Sequence, residues 1–159
     1  MTEEACPPWW EFVVIPAMMR AARNTYAHAL REALALIECD DLPKNGAFVI
    51  GAIAHNGASL REIIRDLGVT KQAAGQLVDT LVARGYLERA VDSGDRRRLT
   101  ITLTERGQAA AAVNRAAIDG IEKALIERVG ADKVHALREA LAALIALNPE
   151  RQKPEDEAA

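Results

Sequence analysis

Several things are scarce in this chain of 159 residues. Aromatic residues are few, two each of Trp, Tyr and Phe, so the core must be built mainly from aliphatic side chains. Hydrophobic residues make up 50% of the chain, which is enough for such a core. Ala, Leu and Ile dominate them, and this favours helices. The two cysteines, Cys6 and Cys39, stand far apart with no CxxC and no paired metal-ligand spacing. That excludes a disulfide framework and points to free thiols in a reducing compartment. His28, His55 and His135 fall in three separate predicted helices without an HxxxH or HxxE pattern, so no metal site is expected. No apolar run approaches the length of a bilayer span, so no membrane partner is expected. The first residues, MTEEACPP, carry two glutamates and no basic cluster, unlike a signal peptide, and the expected location is the cytoplasm. No nucleophile–base pair, phosphate loop or paired catalytic carboxylates occur, so neither an enzyme nor a cofactor is expected.

Positive charge is also lacking overall. The net charge of −3 argues at first against a nucleic-acid partner. Its distribution reverses that argument. Between Ser59 and Arg106 there are nine Lys/Arg and seven Asp/Glu, a local +2, while the rest of the chain carries −5. A weakly basic module is set among acidic helices, and the local patch is what a phosphate backbone meets.

What is present is helical periodicity with clear punctuation. The segment up to about Ile15 reads either as a short helix or as an extended arm. Pro16 fits the first turn of a long helix, marked by Met19, Ala22, Tyr26, Ala29, Leu30, Ala33, Leu34 and Ile37 and expected to end near Glu38. A second helix follows Pro43 and stops at Asn56-Gly57. Ser59 and Glu62 form a capping box for a short third helix that stops at Gly68. Thr70 caps a fourth, which runs to about Arg84 and stops at Gly85. The third and fourth helices have helix-turn-helix spacing. Tyr86, Leu87, Ala90 and Val91 can pair with a strand in which Leu99, Ile101 and Leu103 alternate with Thr100, Thr102 and Thr104. Between the strands, DSGDRRR is a polar loop too long for a two-residue turn. Two further helices follow, broken at Gly130, and the tail NPERQKPEDEAA is expected to be disordered.

The fourth helix has two faces. Ala74, Leu77, Val78 and Leu81 fall on one. Lys71, Gln72, Gly75, Gln76 and Asp79 fall on the other, in a stripe roughly 140° wide. The glutamine amides can pair with adenine and Lys71 with guanine or phosphate, while Gly75 lets the backbone approach closely. Arg96, Arg97 and Arg98 at the hairpin tip can reach phosphates or a narrow minor groove, and Asp95 is placed to orient Arg97. Ser59 and Thr70, at the starts of the two helices, complete the candidate surface for double-stranded DNA. The alternative is a module of the same fold that recruits a protein partner instead.

The stretch RGYLERAVDSGDRRRLTITLTERG resembles the wing of the multiple antibiotic resistance regulator (MarR) family. Asp95 and Arg97 match its D-x-R tip, and Leu103, Thr104 and Gly107 match its end. SLREIIRDLGVTKQAAGQLVDTLVARG is similar to the family's helix-turn-helix, and the resemblance spans about residues 16–147. It implies a mainly α fold with a small two-stranded β wing, flanked by N- and C-terminal dimerisation helices. The expected segments are an arm and first dimerisation helix (1–42), a winged helix-turn-helix lobe (43–106), C-terminal dimerisation helices (107–148) and the tail (149–159). The implied function is a transcription regulator, usually a repressor, that binds a palindromic operator as a homodimer and is often released by a small ligand. The last two helices support the dimer independently, since they carry more apolar surface than a small winged helix needs. Family ligands lie between the dimer layer and the DNA-binding lobe, which here implicates Met18, Met19, Tyr26 and Phe48, with Trp9 and Trp10 from the arm. The peroxide-sensing branch carries a cysteine near the start of the first long helix. Neither Cys6 nor Cys39 matches that position, so the resemblance does not extend to thiol sensing.

Overall fold

The computed structural model describes residues 8–56, 60–91 and 99–149. After a single 3₁₀ turn at Trp9–Phe12, the chain forms α1 (Ile15–Ala35), α2 (Gly46–Asn56), α3 (Leu60–Leu67) and α4 (Lys71–Ala83). A hairpin of β1 (Leu87–Val91) and β2 (Leu99–Leu103) follows, then α5 (Glu105–Val129) and α6 (Ala131–Ala146). The two strands are antiparallel, with Leu87 opposite Leu103 and Arg89 opposite Ile101. The fold is mainly α with a small two-stranded wing, as the patterning implies. The ambiguous start proves to be a 3₁₀ turn in which the Glu11 amide donates to the Pro8 carbonyl at 3.0 Å. Pro16 lies in the first turn of α1.

Helix ends follow local chemistry. Gly85 takes φ 73°, and the Tyr86 amide donates to the Leu81 carbonyl at 2.9 Å while that of Gly85 donates to Val82 at 3.0 Å. This is a Schellman closure, and its apolar contact joins the fully buried Leu81 and Tyr86. The same closure ends α1, where Cys39 donates to the Leu34 carbonyl at 3.0 Å and Glu38 to that of Ala35 at 3.3 Å. The left-handed position here is Glu38, at φ 55°. A non-glycine residue there works against an intrinsic preference of roughly 1–2 kcal/mol. The helix therefore ends at Ala35 rather than near Glu38, because Leu36–Glu38 form the turn that folds Cys39 back onto Leu34.

Contacts divide the chain into two units, the first running to Ile118 and the second beginning at Asp119. In the first unit the core gathers Leu34 of α1, Cys39, Val49 and Ile50 of α2, Ile63 of α3, Val78 and Leu81 of α4, Tyr86 and Leu87 of the wing and Ala110 of α5. Each large aliphatic member contributes about 1.5–3 kcal/mol by burial. The first half of α5 meets this core through small residues, Gly107, Ala110, Ala111 and Asn114. The Asn114 amide donates to the Ala47 carbonyl at 3.2 Å. Gly51 leaves room for it, since a Cβ there would stand 3.0 Å from Asn114 Nδ2. In the second unit Val134 is buried, and Arg138 donates to Glu122 at 2.5 Å. Ile126, Val129, Leu137, Leu144, Ile145 and Leu147 remain exposed there. Among the described residues, no helix is long and apolar enough to cross a membrane.

Candidate nucleic-acid interface

The helix-turn-helix is built by two small devices. Gly68, at φ 62°, turns the chain after α3. Thr70 then caps α4, its hydroxyl accepting from the Ala73 amide at 3.2 Å. This satisfies one of the amides that a helix start leaves open. Ala74, Val78 and Leu81 of α4 are buried, with Leu77 packed against the core at the edge of that face. Lys71, Gln72, Gln76 and Asp79 are exposed, and Gly75 is half-buried. The helix thus divides between packing and solvent along the two stripes of its sequence. A Cβ at Gly75 would meet nothing within 4 Å, so packing within the chain does not require glycine there.

One charge on the outer stripe is already matched. Asp79 forms an ion pair with Arg89 of β1, linking the outer side of α4 to the wing strand. The pair offsets a carboxylate that would otherwise repel phosphate. Thr102 on β2 donates to the Glu88 carboxylate at 3.4 Å, so the exposed side of the hairpin is also tied across its strands. Ser59 and the tip residues Asp95, Arg96, Arg97 and Arg98 lie outside the described residues, as does the capping box that Ser59 would form.

A second group of polar residues, which sequence reasoning missed, sits at the far end of α4. Arg106, in the first turn of α5, donates to the carbonyl of Arg84 at 2.6 Å, to that of Glu38 at 3.0 Å and to the Asp41 carboxylate at 2.9 Å. Its guanidinium carbon lies 4.4 Å from the centre of the Tyr86 ring. The Tyr86 hydroxyl donates to the same Asp41 oxygen at 2.5 Å, and the Arg84 guanidinium donates to the Asp41 carbonyl. The Tyr86 hydrogen bond and then the nearby Arg106 charge hold the Asp41 carboxyl below its ordinary range. Burial, reinforced by that carboxylate, keeps the Tyr86 phenol protonated well above its usual range. These partners are separated by as many as 68 residues, so no local pattern could have revealed them.

The end of the wing explains two residues singled out by the resemblance. Thr104 caps α5: its hydroxyl accepts from the Gly107 amide at 3.0 Å and donates to the Gly85 carbonyl at 2.6 Å. A Cβ at position 107 would lie 2.0 Å from the Tyr86 carbonyl oxygen, so only glycine fits that close approach. Among the residues considered for a small ligand, Met18 and Met19 of α1 and Phe48 of α2 are exposed, and Tyr26 of α1 is half-buried. Trp9 and Trp10 are exposed on the 3₁₀ turn. Among the described residues there is no cluster of three or more potential metal ligands.

Residues 41–98 match the MarR family. No curated protein sequence matches the chain. Solved structures do. The transcriptional repressor CouR bound to a 23-mer DNA duplex shares 24% identity, covering 83% of this chain and 92% of its own, with a TM-score of 0.63. The Staphylococcus aureus MepR–DNA complex shares 17% identity over 84% of this chain and 98% of its own, with a TM-score of 0.64. The same S. aureus protein bound to ethidium bromide shares 19% identity over 84% and 96%, with a TM-score of 0.55. At these identities the likeness is one of fold, and it extends over the winged helix and the helices on either side. The matched segment is thus similar to the MarR family, and the chain shares the winged-helix fold of these solved structures.

Proposed function

We propose that the protein is a sequence-specific DNA-binding regulator that represses transcription from a palindromic operator as a homodimer and is released by a small ligand. The observation that carries this reading is the division of α4: a buried apolar face fixes the helix, and an exposed face offers Lys71, Gln72 and Gln76 beside an open Gly75. Such a face suits a major groove, where amide and ammonium groups meet base edges and phosphates. In this reading Ser59 and Thr70 flank the helix-turn-helix, and Arg96, Arg97 and Arg98 carry the wing to the adjacent backbone or minor groove, with Asp95 orienting Arg97. Residues 43–106 form the DNA-binding lobe, and residues 1–42 and 107–148 the dimer helices.

Two further observations support the finer parts. Exposed apolar side chains on the arm and on α1 in the first unit, and on α5 and α6 in the second, are what a two-fold partner would cover. A dimer places two reading helices about 34 Å apart, one turn of DNA. Met18, Met19, Tyr26 and Phe48 present adaptable apolar surface for a ligand, which acts only by binding two lobe spacings unequally. Binding of ethidium by the S. aureus relative of this fold is consistent with that role.

The test is fluorescence-anisotropy binding to the DNA upstream of the protein's own gene, with competitor DNA and at several salt concentrations. Tight, salt-sensitive binding that Arg97→Ala weakens by roughly 1–3 kcal/mol is expected. Binding that ignores salt and Arg97→Ala contradicts this reading and favours a fold used for protein contacts.

A further inference from the structure

Arg106 takes no part in the outward face of α4, yet it touches the end of that helix. Its guanidinium joins the carbonyl of Arg84, just past the end of α4, to the carbonyl of Glu38, in the turn that closes α1, and stands itself on the first turn of α5. Asp41 and the Tyr86 ring hold it from the loop and from the base of the wing. Two helix C-termini therefore converge on one cation. Each carries partial negative charge from carbonyls with no partner inside the helix, and Asp41 adds a full charge. Without the cation the two helix ends and the carboxylate repel one another. The guanidinium is also planar, with donors in a fixed fork, so it sets relative positions that a flexible ammonium would not.

The side chain is 39% exposed and Asp41 is 43% exposed, so solvent screens their pair and its contribution to overall stability is small. The packing face of α4 (Ala74, Val78 and Leu81) is buried and supplies none of the groups that bind the guanidinium. What remains for the cluster to determine is geometry. We propose that Arg106 is a positioning residue that fixes the end of the reading helix relative to α1 and α5, and so sets the spacing at which two copies of α4 engage DNA. This rests on the dimeric DNA-binding reading above. A dimer that meets both half-sites at once gains strongly over single-site binding, and that gain is lost when geometry forbids simultaneous engagement.

The test uses full-length protein and an inverted repeat selected by the wild type from random DNA. The repeat is rebuilt with half-site centres about 8 to 13 base pairs apart, around the roughly 10 of one helical turn. Wild type is expected to prefer one spacing by about tenfold or more, the avidity of two-site binding. Arg106→Gln should lose about tenfold at that spacing and little at the others, so the preference flattens, while the isolated half-site and the salt slope are unchanged. Asp41→Asn keeps the two carbonyl contacts of Arg106 and should flatten the preference partly. Should Arg106→Gln fail to fold by circular dichroism, Asp41→Asn decides by the same criterion. A variant that keeps the wild-type preference, with or without a uniform loss of affinity, overturns the inference and leaves the DNA-binding reading standing. A wild type that binds every spacing equally overturns both.

Discussion

The two ends of α4 are organised differently. Near its start and along its outer face the side chains are exposed, and Thr70 supplies a local cap. At its far end Arg84, Gly85 and Tyr86 enter a network that reaches Glu38, Asp41 and Arg106. In the proposed reading the first region meets DNA, while the second holds the helix within the chain. Substitutions on the outer face should therefore change recognition, and those at the buried residues of the far end stability.

Leu81→Ala should have the largest effect, because Leu81 is fully buried at the end of the packing face. The unfolding free energy should fall by about 2–5 kcal/mol in denaturant titration. DNA affinity should fall only as far as the folded fraction does. Gly107→Ala should follow at roughly 1–3 kcal/mol, since the added methyl meets the Tyr86 backbone rather than a side chain that can move. A stable Gly107→Ala protein would show that the junction of wing and α5 shifts freely, and would remove the contrast with the outer face. Gln76→Ala reverses the pattern. Its stability should stay within about 0.5 kcal/mol of wild type. Its affinity for the preferred half-site should drop by about 1–3 kcal/mol, with specificity relaxed at one base pair.

The smallest effect is expected on pH dependence. The folded state holds the Asp41 carboxyl below its ordinary value, so this group contributes stability above the unfolded pKa of about 4. That contribution is lost as pH falls through the lower folded value. Acid titration of unfolding should therefore show Asp41→Asn less stable than wild type at neutral pH, with the gap closing only at the acid end. A gap that instead widens in acid would mean that the Tyr86 and Arg106 contacts do not favour the charged carboxylate.

Much of this division was legible before the structure. Helical spacing gave the two faces of α4, because burial and the 3.6-residue period act on the same side chains. Gly68, Thr70 and Gly85 announced the turn, the cap and the stop, since each device is local to a few residues. Alternation of Thr with Leu and Ile marked β2, and its pairing with β1 followed. The end of α1 was misread because Glu38 takes a left-handed conformation with no glycine to mark it. The inner face of α5 was hidden because Gly107, Ala110, Ala111 and Asn114 are small or polar, while apolar periodicity drew attention to larger neighbours. The network around Arg106 was invisible because long-range hydrogen bonds leave no period in the sequence. Of the residues proposed to contact DNA, Lys71, Gln72 and Gln76 lie on the exposed face of α4 that the spacing marked, while Ser59 and Asp95 to Arg98 lie outside the described residues.

The most direct test of the central claim is selection of bound fragments from a random DNA pool by the full-length protein. The account predicts enrichment of an inverted repeat whose half-sites are centred about one helical turn apart, with enrichment lost for Gln76→Ala. Recovery of fragments with no shared sequence, or of a site that Gln76→Ala selects equally well, would contradict it.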